Sequence, residues 1–335
     1  MVRDKCDDER IGFNWISRMS FWQFLGLLLL LFKSSLALGN AEERSLVVAG
    51  VERHYLVYVP DSVKPNAPLV LVFHGYTGTA RQTMAYSGMN EQADKHQFIV
   101  AYPQGTEDSK GYPFFNVEYS MHLDNEVDDI LYTRLLVAEL SRVYELNPDA
   151  IFATGMSNGG DMSYLLACKA SDLFSGIAPV AGTMMNSWAE NCDPGGMMPV
   201  LAIHGTHDDI TRFNGDPEDK DGWGKYLAQE DIMDYWIFHN GLEKYRSLSL
   251  PDVDPDDDSR VRLKEYWSED HDIKVLFYIV ENGGHDWPGM RYTWWNPLYY
   301  FSRYQMGFGQ TRDIDSSELI WKFFSAVLSE RGRQR

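Results

Sequence analysis

Six apolar runs, each ending at or next to glycine, constrain this chain more than any other feature. They are "PLVLVFHG" (68–75), "FIVAYPQG" (98–105), "AIFATG" (150–155), "SGIAPVAG" (175–182), "MPVLAIHG" (198–205) and "KVLFYIVENGGH" (274–285). Continuous runs of this kind suit strands covered on both faces, as in a parallel sheet. The stretches between them read as helices. Residues 127–145 and 226–241 carry apolar positions at helical spacing, 83–95 are helix-permissive, and a helix is expected over 158–169. A closing helix covers 316–328, with Asp315 or Ser316 as its cap. Residues 45–50 and 54–59 read as an antiparallel opening pair. This alternation predicts an α/β fold, a mostly parallel sheet with helices on both faces. No Gly-, Ser- or Pro-rich linker interrupts it and no repeat is present, so one domain is expected over 42–330.

One junction carries a chemical signal. Gly155-Met156-Ser157-Asn158-Gly159 follows an expected strand and opens an expected helix. That is the context of a nucleophile elbow, in which a sharp turn exposes a serine oxygen at the carboxyl edge of the sheet. Side chains at 155 or 159 would collide with the neighbouring strand or helix, which accounts for the glycines. A serine hydroxyl is a weak nucleophile at neutral pH and needs a base, itself oriented by a carboxylate. In such folds the acid and then the base follow the serine along the chain, on loops after later strands. His204-Gly205-Thr206-His207-Asp208-Asp209 follows one strand, offering Asp208 or Asp209 as the acid. Gly283-Gly284-His285 follows another, offering His285 as the base. His204 reads as structural, holding its loop, and His207 as a surface residue. His54, His96, His122, His239 and His271 show no partner pattern and read as surface or core. An oxyanion site needs two backbone N–H donors. Asn158, after the nucleophile, supplies one, and Tyr76 in "HGYTG" (74–78) the other.

Charge and targeting narrow the setting. With 30 Lys and Arg against 49 Asp and Glu, the net charge is −19, and nucleic acid is an unfavourable partner. "FWQFLGLLLLLF" (21–32) is too short to span a bilayer. The small residues after it offer cleavage sites, so residues 1–39 are expected to be an export signal. The acidic Asp4, Asp7, Asp8 and Glu9 ahead of it are unusual for such a signal, and Met19 is an alternative start. The mature protein is then secreted or periplasmic, with no stable membrane anchor. Beyond the signal lie Cys168 and Cys192, which suit either a disulfide or two buried thiols. The acidic "PDVDPDDD" (251–258) lacks the glycine and glutamate of a calcium loop, and no metal site is expected.

Taken together, "HGYTG" (74–78), "ATGMSNGG" (153–160), "APVAG" (178–182), "HGTHD" (204–208), "GGHDWPG" (283–289) and "DIDSSELIWKFF" (313–324) carry a resemblance. The chain resembles the secreted polyhydroxybutyrate depolymerases and feruloyl esterases of the first carbohydrate esterase family, over roughly residues 45–328. The resemblance implies an α/β-hydrolase fold, no cofactor, and a Ser157-Asp208-His285 carboxylesterase. It favours Asp208 over Asp209 and Tyr76 as oxyanion donor. The segment after the acid, Thr211-Arg212-Phe213-Asn214-Gly215-Asp216, departs from the family's usual pattern. Gly222-Trp223-Gly224-Lys225-Tyr226-Leu227 looks more like its feruloyl-esterase branch. Trp287, Trp294 and Trp295, in or beside the aromatic-rich stretch 290–308, are candidate substrate contacts or else part of a small satellite core. The implied substrates are feruloyl or acetyl esters on polysaccharide, or hydroxyalkanoate polyesters. A peptidase or thioesterase with the same triad, or a non-catalytic carbohydrate-binding protein on a hydrolase scaffold, are the competing readings.

Overall fold

A computed structural model of the protein describes residues 41–290 and 311–333. The apolar run 21–32, Trp294 and Trp295 lie outside those residues. No described helix is long and apolar enough to cross a membrane.

The apolar runs form the middle of a 10-stranded sheet. β1 (Ala41–Val48) and β2 (Val51–Tyr58) make the opening hairpin. They are followed by β3 (Leu69–Phe73), β4 (Ile99–Pro103) and a small ribbon of β5 (Thr106–Glu107) with β6 (Pro113–Phe114). Next come β7 (Ile151–Met156), β8 (Gly176–Val180) and β9 (Val200–Gly205). β10 (Lys244–Ser249), β11 (Arg260–Trp267) and β12 (Lys274–Glu281) complete the set. The order across the sheet is β1-β2-β4-β3-β7-β8-β9-β12-β11-β10. Pairing is parallel from β4 to β12 and antiparallel at both margins. β3, β4, β8 and β9 are buried at every position, as two-sided cover requires.

Among the described residues seven α-helices accompany the sheet: α1 (Ala80–Ser87), α2 (Met89–His96), α3 (Asp129–Tyr144), α4 (Asn158–Lys169), α5 (Asn186–Ala189), α6 (Gln229–His239) and α7 (Ser316–Arg333). Side chains alternate across a strand, so one run feeds two cores. Leu71 and Phe73 of β3 pack with Leu136 of α3, Leu165 of α4 and Trp236 of α6. Val70 and Val72 pack on the opposite face with Met84 of α1, Met89 of α2 and Phe324 of α7. The permissive segment 83–95 is two helices because Gly88 sits between them at φ 72°. Asp128 caps α3 by accepting from the Leu131 N–H, and Asp315 caps α7 by accepting from the Glu318 N–H. A disulfide joins Cys168, near the end of α4, to Cys192, with Cα atoms 4.8 Å apart. The α/β-hydrolase arrangement expected from the sequence is present. The margin strands β10 and β11 were not expected, since exposed positions along β10 dilute the apolar pattern.

Candidate active site

The β7–α4 junction is as sharp as its glycines suggest. Ser157 sits at φ 57° and ψ −123°, a region that non-glycine residues avoid and that persists only when surroundings enforce it. Its N–H donates to Val180 O of β8 at 2.9 Å. A Cβ at Gly159 would lie 2.2 Å from Phe73 O, and one at Gly155 would lie 2.6 Å from Gly159 C. Both contacts are to backbone, which cannot swing aside. α4 therefore packs directly on β3 and β7, and its first N–H groups, lacking intrahelical partners, follow directly on Ser157.

The two loops bearing Asp208 and His285 are stitched together at the ends of β9 and β12. Thr206 N–H donates to Val280 O at 2.9 Å and His207 N–H to Gly283 O at 2.8 Å. Gly205 allows this approach, since a Cβ there would lie 2.3 Å from Gly283 O. Asp208 is thereby brought beside His285, with Oδ2 2.8 Å from Nδ1, and both residues are buried. The other carboxylate oxygen accepts from Ile210 N–H at 2.9 Å and Thr211 N–H at 2.7 Å. Asp209 is exposed. Burial opposes charge on His285, but the charge and hydrogen bond of Asp208, with further help from Asp161 and Asp286, raise its pKa above 6.5. Burial likewise opposes charge on Asp208, and the His285 charge and hydrogen bond outweigh it, holding the carboxyl below its usual range. His204, buried and kept neutral by that burial, has Nε2 2.7 Å from Thr211 O and braces the loop as expected.

The loop after β3 lies against Ser157, since a Cβ on Gly75 would be 3.3 Å from Ser157 Cβ. His74 fixes it from beneath. Its buried ring, pushed down to about 4, is neutral, so Nδ1–H donates to Gly75 O at 2.7 Å while Nε2 accepts from Gly105 N–H at 2.9 Å. Tyr76 is anchored by its hydroxyl, which donates to Asp108 at 2.7 Å. The same Asp108 oxygen lies 3.3 Å from His122, which is buried against the ring of Phe114. Asn158 is held by its side chain: Oδ1 accepts from Phe115 N–H at 2.7 Å and Nδ2 donates to Phe115 O at 3.0 Å. Behind it, Asn116 N–H donates to Asp129, which pairs with the buried Arg53 at 2.5 Å.

A narrow cleft opens at Ser157, with about 280 Å³ of empty space when the solvent at its mouth is included. Its walls include Tyr119, Asp161, Thr183, Trp223 and Tyr226. Trp223 stands edge-on to Tyr76 and to Tyr119, with centroids 5.4 and 5.2 Å away. The family-like segment 222–227 thus contributes directly to the cleft. Trp287 does not: it is fully buried and edge-on to Tyr86 in the core that includes α1 and α7. The expectation that it touches substrate is corrected accordingly, because the chain turns inward after His285. The cleft residues Tyr119 and Thr183 had no motif. Asp161 did leave a trace, as the lone acidic residue of an otherwise small and apolar helix. Among the described residues there is no cluster suited to a metal ion.

The Esterase family model, described as "Putative esterase", matches residues 48–274. The chain belongs to the esterase family. This esterase is 31% identical over 258 residues to "Putative esterase NocK" of Nocardia uniformis, covering 73% of this chain and 74% of that protein. It is 25% identical over 285 residues to "Probable feruloyl esterase C" of Aspergillus clavatus, covering 82% and 84% respectively. Among solved structures it resembles an acetyl xylan esterase from Aspergillus awamori, with a TM-score of 0.52 and 16% identity, over 73% of this chain and 94% of that one. At that identity the likeness speaks to the α/β-hydrolase fold. The esterase acts on acyl esters.

Proposed function

We propose that this esterase is an exported serine carboxylesterase using Ser157, Asp208 and His285, with residues 1–39 as its export signal and 42–330 as its catalytic domain. The observation that carries the reading is the buried 2.8 Å contact of His285 Nδ1 with Asp208, on loops stitched together at the sheet edge that also presents the strained Ser157. His285 takes the Ser157 proton as the oxygen attacks the ester carbonyl. Asp208 holds the imidazole tautomer and favours its charged form. The N–H groups of Tyr76 and Asn158 stabilise the oxyanion. His285 then protonates the departing alcohol, leaving an acyl-enzyme. Water repeats the sequence, giving the free acid and restoring Ser157.

The acyl group is an aromatic one, of the feruloyl type, attached to a polysaccharide. The half-buried Trp223, with Tyr119 and Tyr226 beside it, gives the cleft an aromatic lining for such a ring, and the relative named a feruloyl esterase is similar over most of its length. The test is a hydrolysis panel of methyl ferulate, acetylated xylan and hydroxybutyrate oligomers, run with the parent and Ser157→Ala. The reading predicts the highest kcat/KM on methyl ferulate and loss of all hydrolysis in the variant. Preference for hydroxybutyrate oligomers or acetylxylan would contradict the acyl assignment. Full activity in Ser157→Ala would contradict the mechanism.

A further inference from the structure

Asp161 is a buried carboxylate that the reaction sequence above leaves unused, although it lies on the cleft wall one helical turn beyond Ser157. Its N–H donates to the carbonyl of Ser157 at 2.9 Å. Its Oδ2 accepts from the Tyr119 hydroxyl at 2.5 Å and its Oδ1 from the Thr183 N–H at 2.6 Å. One side chain therefore ties three pieces of the cleft together: the nucleophile helix α4, the segment after β6 that also grips Asn158 through Phe115, and the loop after β8. Residual contact with water is negligible, and Arg, Lys or metal partners are missing from its described contacts. A carboxylate in that position is costly to keep and calls for a role.

The charged and titratable groups around it supply one. Tyr119 faces it from the segment after β6, Asp208 from the loop after β9, His285 from the loop after β12, and Tyr164 from its own helix. Around His285 itself stand Asp208, Asp161, Asp286 and His204. Asp208 holds the Nδ1 side of the imidazole. Asp161 reaches the same ring through space, from the helix bearing the nucleophile.

We propose that Asp161 is a positioning residue for ester hydrolysis, whose carboxylate locks Tyr119 and Thr183 to the nucleophile helix and whose negative charge favours the protonated His285 formed as Ser157 attacks. The proposal rests on Ser157 and His285 acting as described above. Burial raises the Asp161 carboxyl from 3.8 to about 7, against the hydrogen bonds from Tyr119 and Thr183. The group is thus ionised on the alkaline side of neutrality, where its charge can act on the His285 ring. The arrangement differs from a purely structural tie in one respect. Neutralising Asp161 must alter the proton affinity of His285 as well as the shape of the cleft.

Asp161→Asn keeps the size and an acceptor for the Thr183 N–H but removes the charge. The experiment measures kcat and kcat/KM from about pH 5 to pH 9 on an activated aryl ester, for the parent and the variant. A fluorophosphonate probe on both reports whether Ser157 is a competent nucleophile. Expected are labelling of both proteins, an acid limb of kcat/KM displaced to lower pH by roughly half a unit or more, and a kcat on the alkaline plateau reduced roughly tenfold. A labelled, folded variant whose acid limb coincides with the parent's would overturn the proposal, whatever its KM. An unlabelled parent would instead remove the Ser157 reading, and the proposal with it. If Asp161→Asn fails to fold, Tyr119→Phe carries the test. It keeps the carboxylate but deletes a hydrogen bond to its charged form. The acid limb then moves in the same direction by less, or the proposal falls.

Discussion

The elbow around Ser157 and the cleft wall beside it are built on different principles. The elbow is a matter of backbone. Gly155 and Gly159 are needed because carbonyl and main-chain atoms of β3 and α4 occupy the space a side chain would take. The wall is a matter of side chains drawn from distant segments, with Tyr119, Trp223 and Tyr226 meeting only after the chain has folded. A backbone constraint leaves a short local pattern in the sequence. A wall assembled from separate loops leaves none.

Mutations separate the two most clearly where the elbow is crowded. Gly159→Ala should lower stability by about 3 kcal/mol or more, because its Cβ would stand 2.2 Å from Phe73 O. Urea unfolding measures this, and a change under about 1 kcal/mol would show the backbone to be softer than described. Asp161 joins the two regions, and its removal should act in the opposite direction. A carboxyl whose folded pKa is raised binds its proton more tightly in the folded state. It therefore costs stability progressively as pH rises from 3.8 to about 7, and by a constant amount above that. Asp161→Asn should then melt higher than the parent at pH 8, with an advantage that shrinks as pH falls and vanishes near pH 4. Thermal melts across that range check the sign, and a variant less stable at pH 8 would contradict it. Trp223→Ala belongs to the wall alone. It should raise KM for methyl ferulate roughly tenfold, with a much smaller effect on acetyl ester hydrolysis. Equal losses on both esters would mean that the ring does not read the acyl group.

The same division explains what could be read from the sequence. The buried strands, the α4 span at 158–169 and the loops holding Asp208 and His285 follow from apolar runs ending at glycine. His204 could be read as a brace because it sits at the end of such a run. Asp208 and Asp209 could not be separated by strand position, because the distinction depends on which carboxylate turns inward to accept from Ile210 and Thr211. Where aromatic residues are dense along the chain, substrate contacts were expected at Trp287 and at Trp294 and Trp295, of which the last two lie outside the described residues. Density in sequence says nothing about direction, and Trp287 turns into the core. The clamp of Asn158 on Phe115 and the Arg53–Asp129 pair behind it have no periodic signature, since each spans tens of residues and rests on one or two hydrogen bonds.

The central claim is that Ser157 is the nucleophile, activated by His285 and Asp208. Mass-spectrometric mapping of a fluorophosphonate adduct tests it most directly, comparing the parent with His285→Ala. The account predicts a single adduct on Ser157, loss of ester hydrolysis in step with its formation, and labelling slowed at least about 10³-fold in the variant. An adduct on another residue, or hydrolysis that persists once Ser157 is fully labelled, would contradict it.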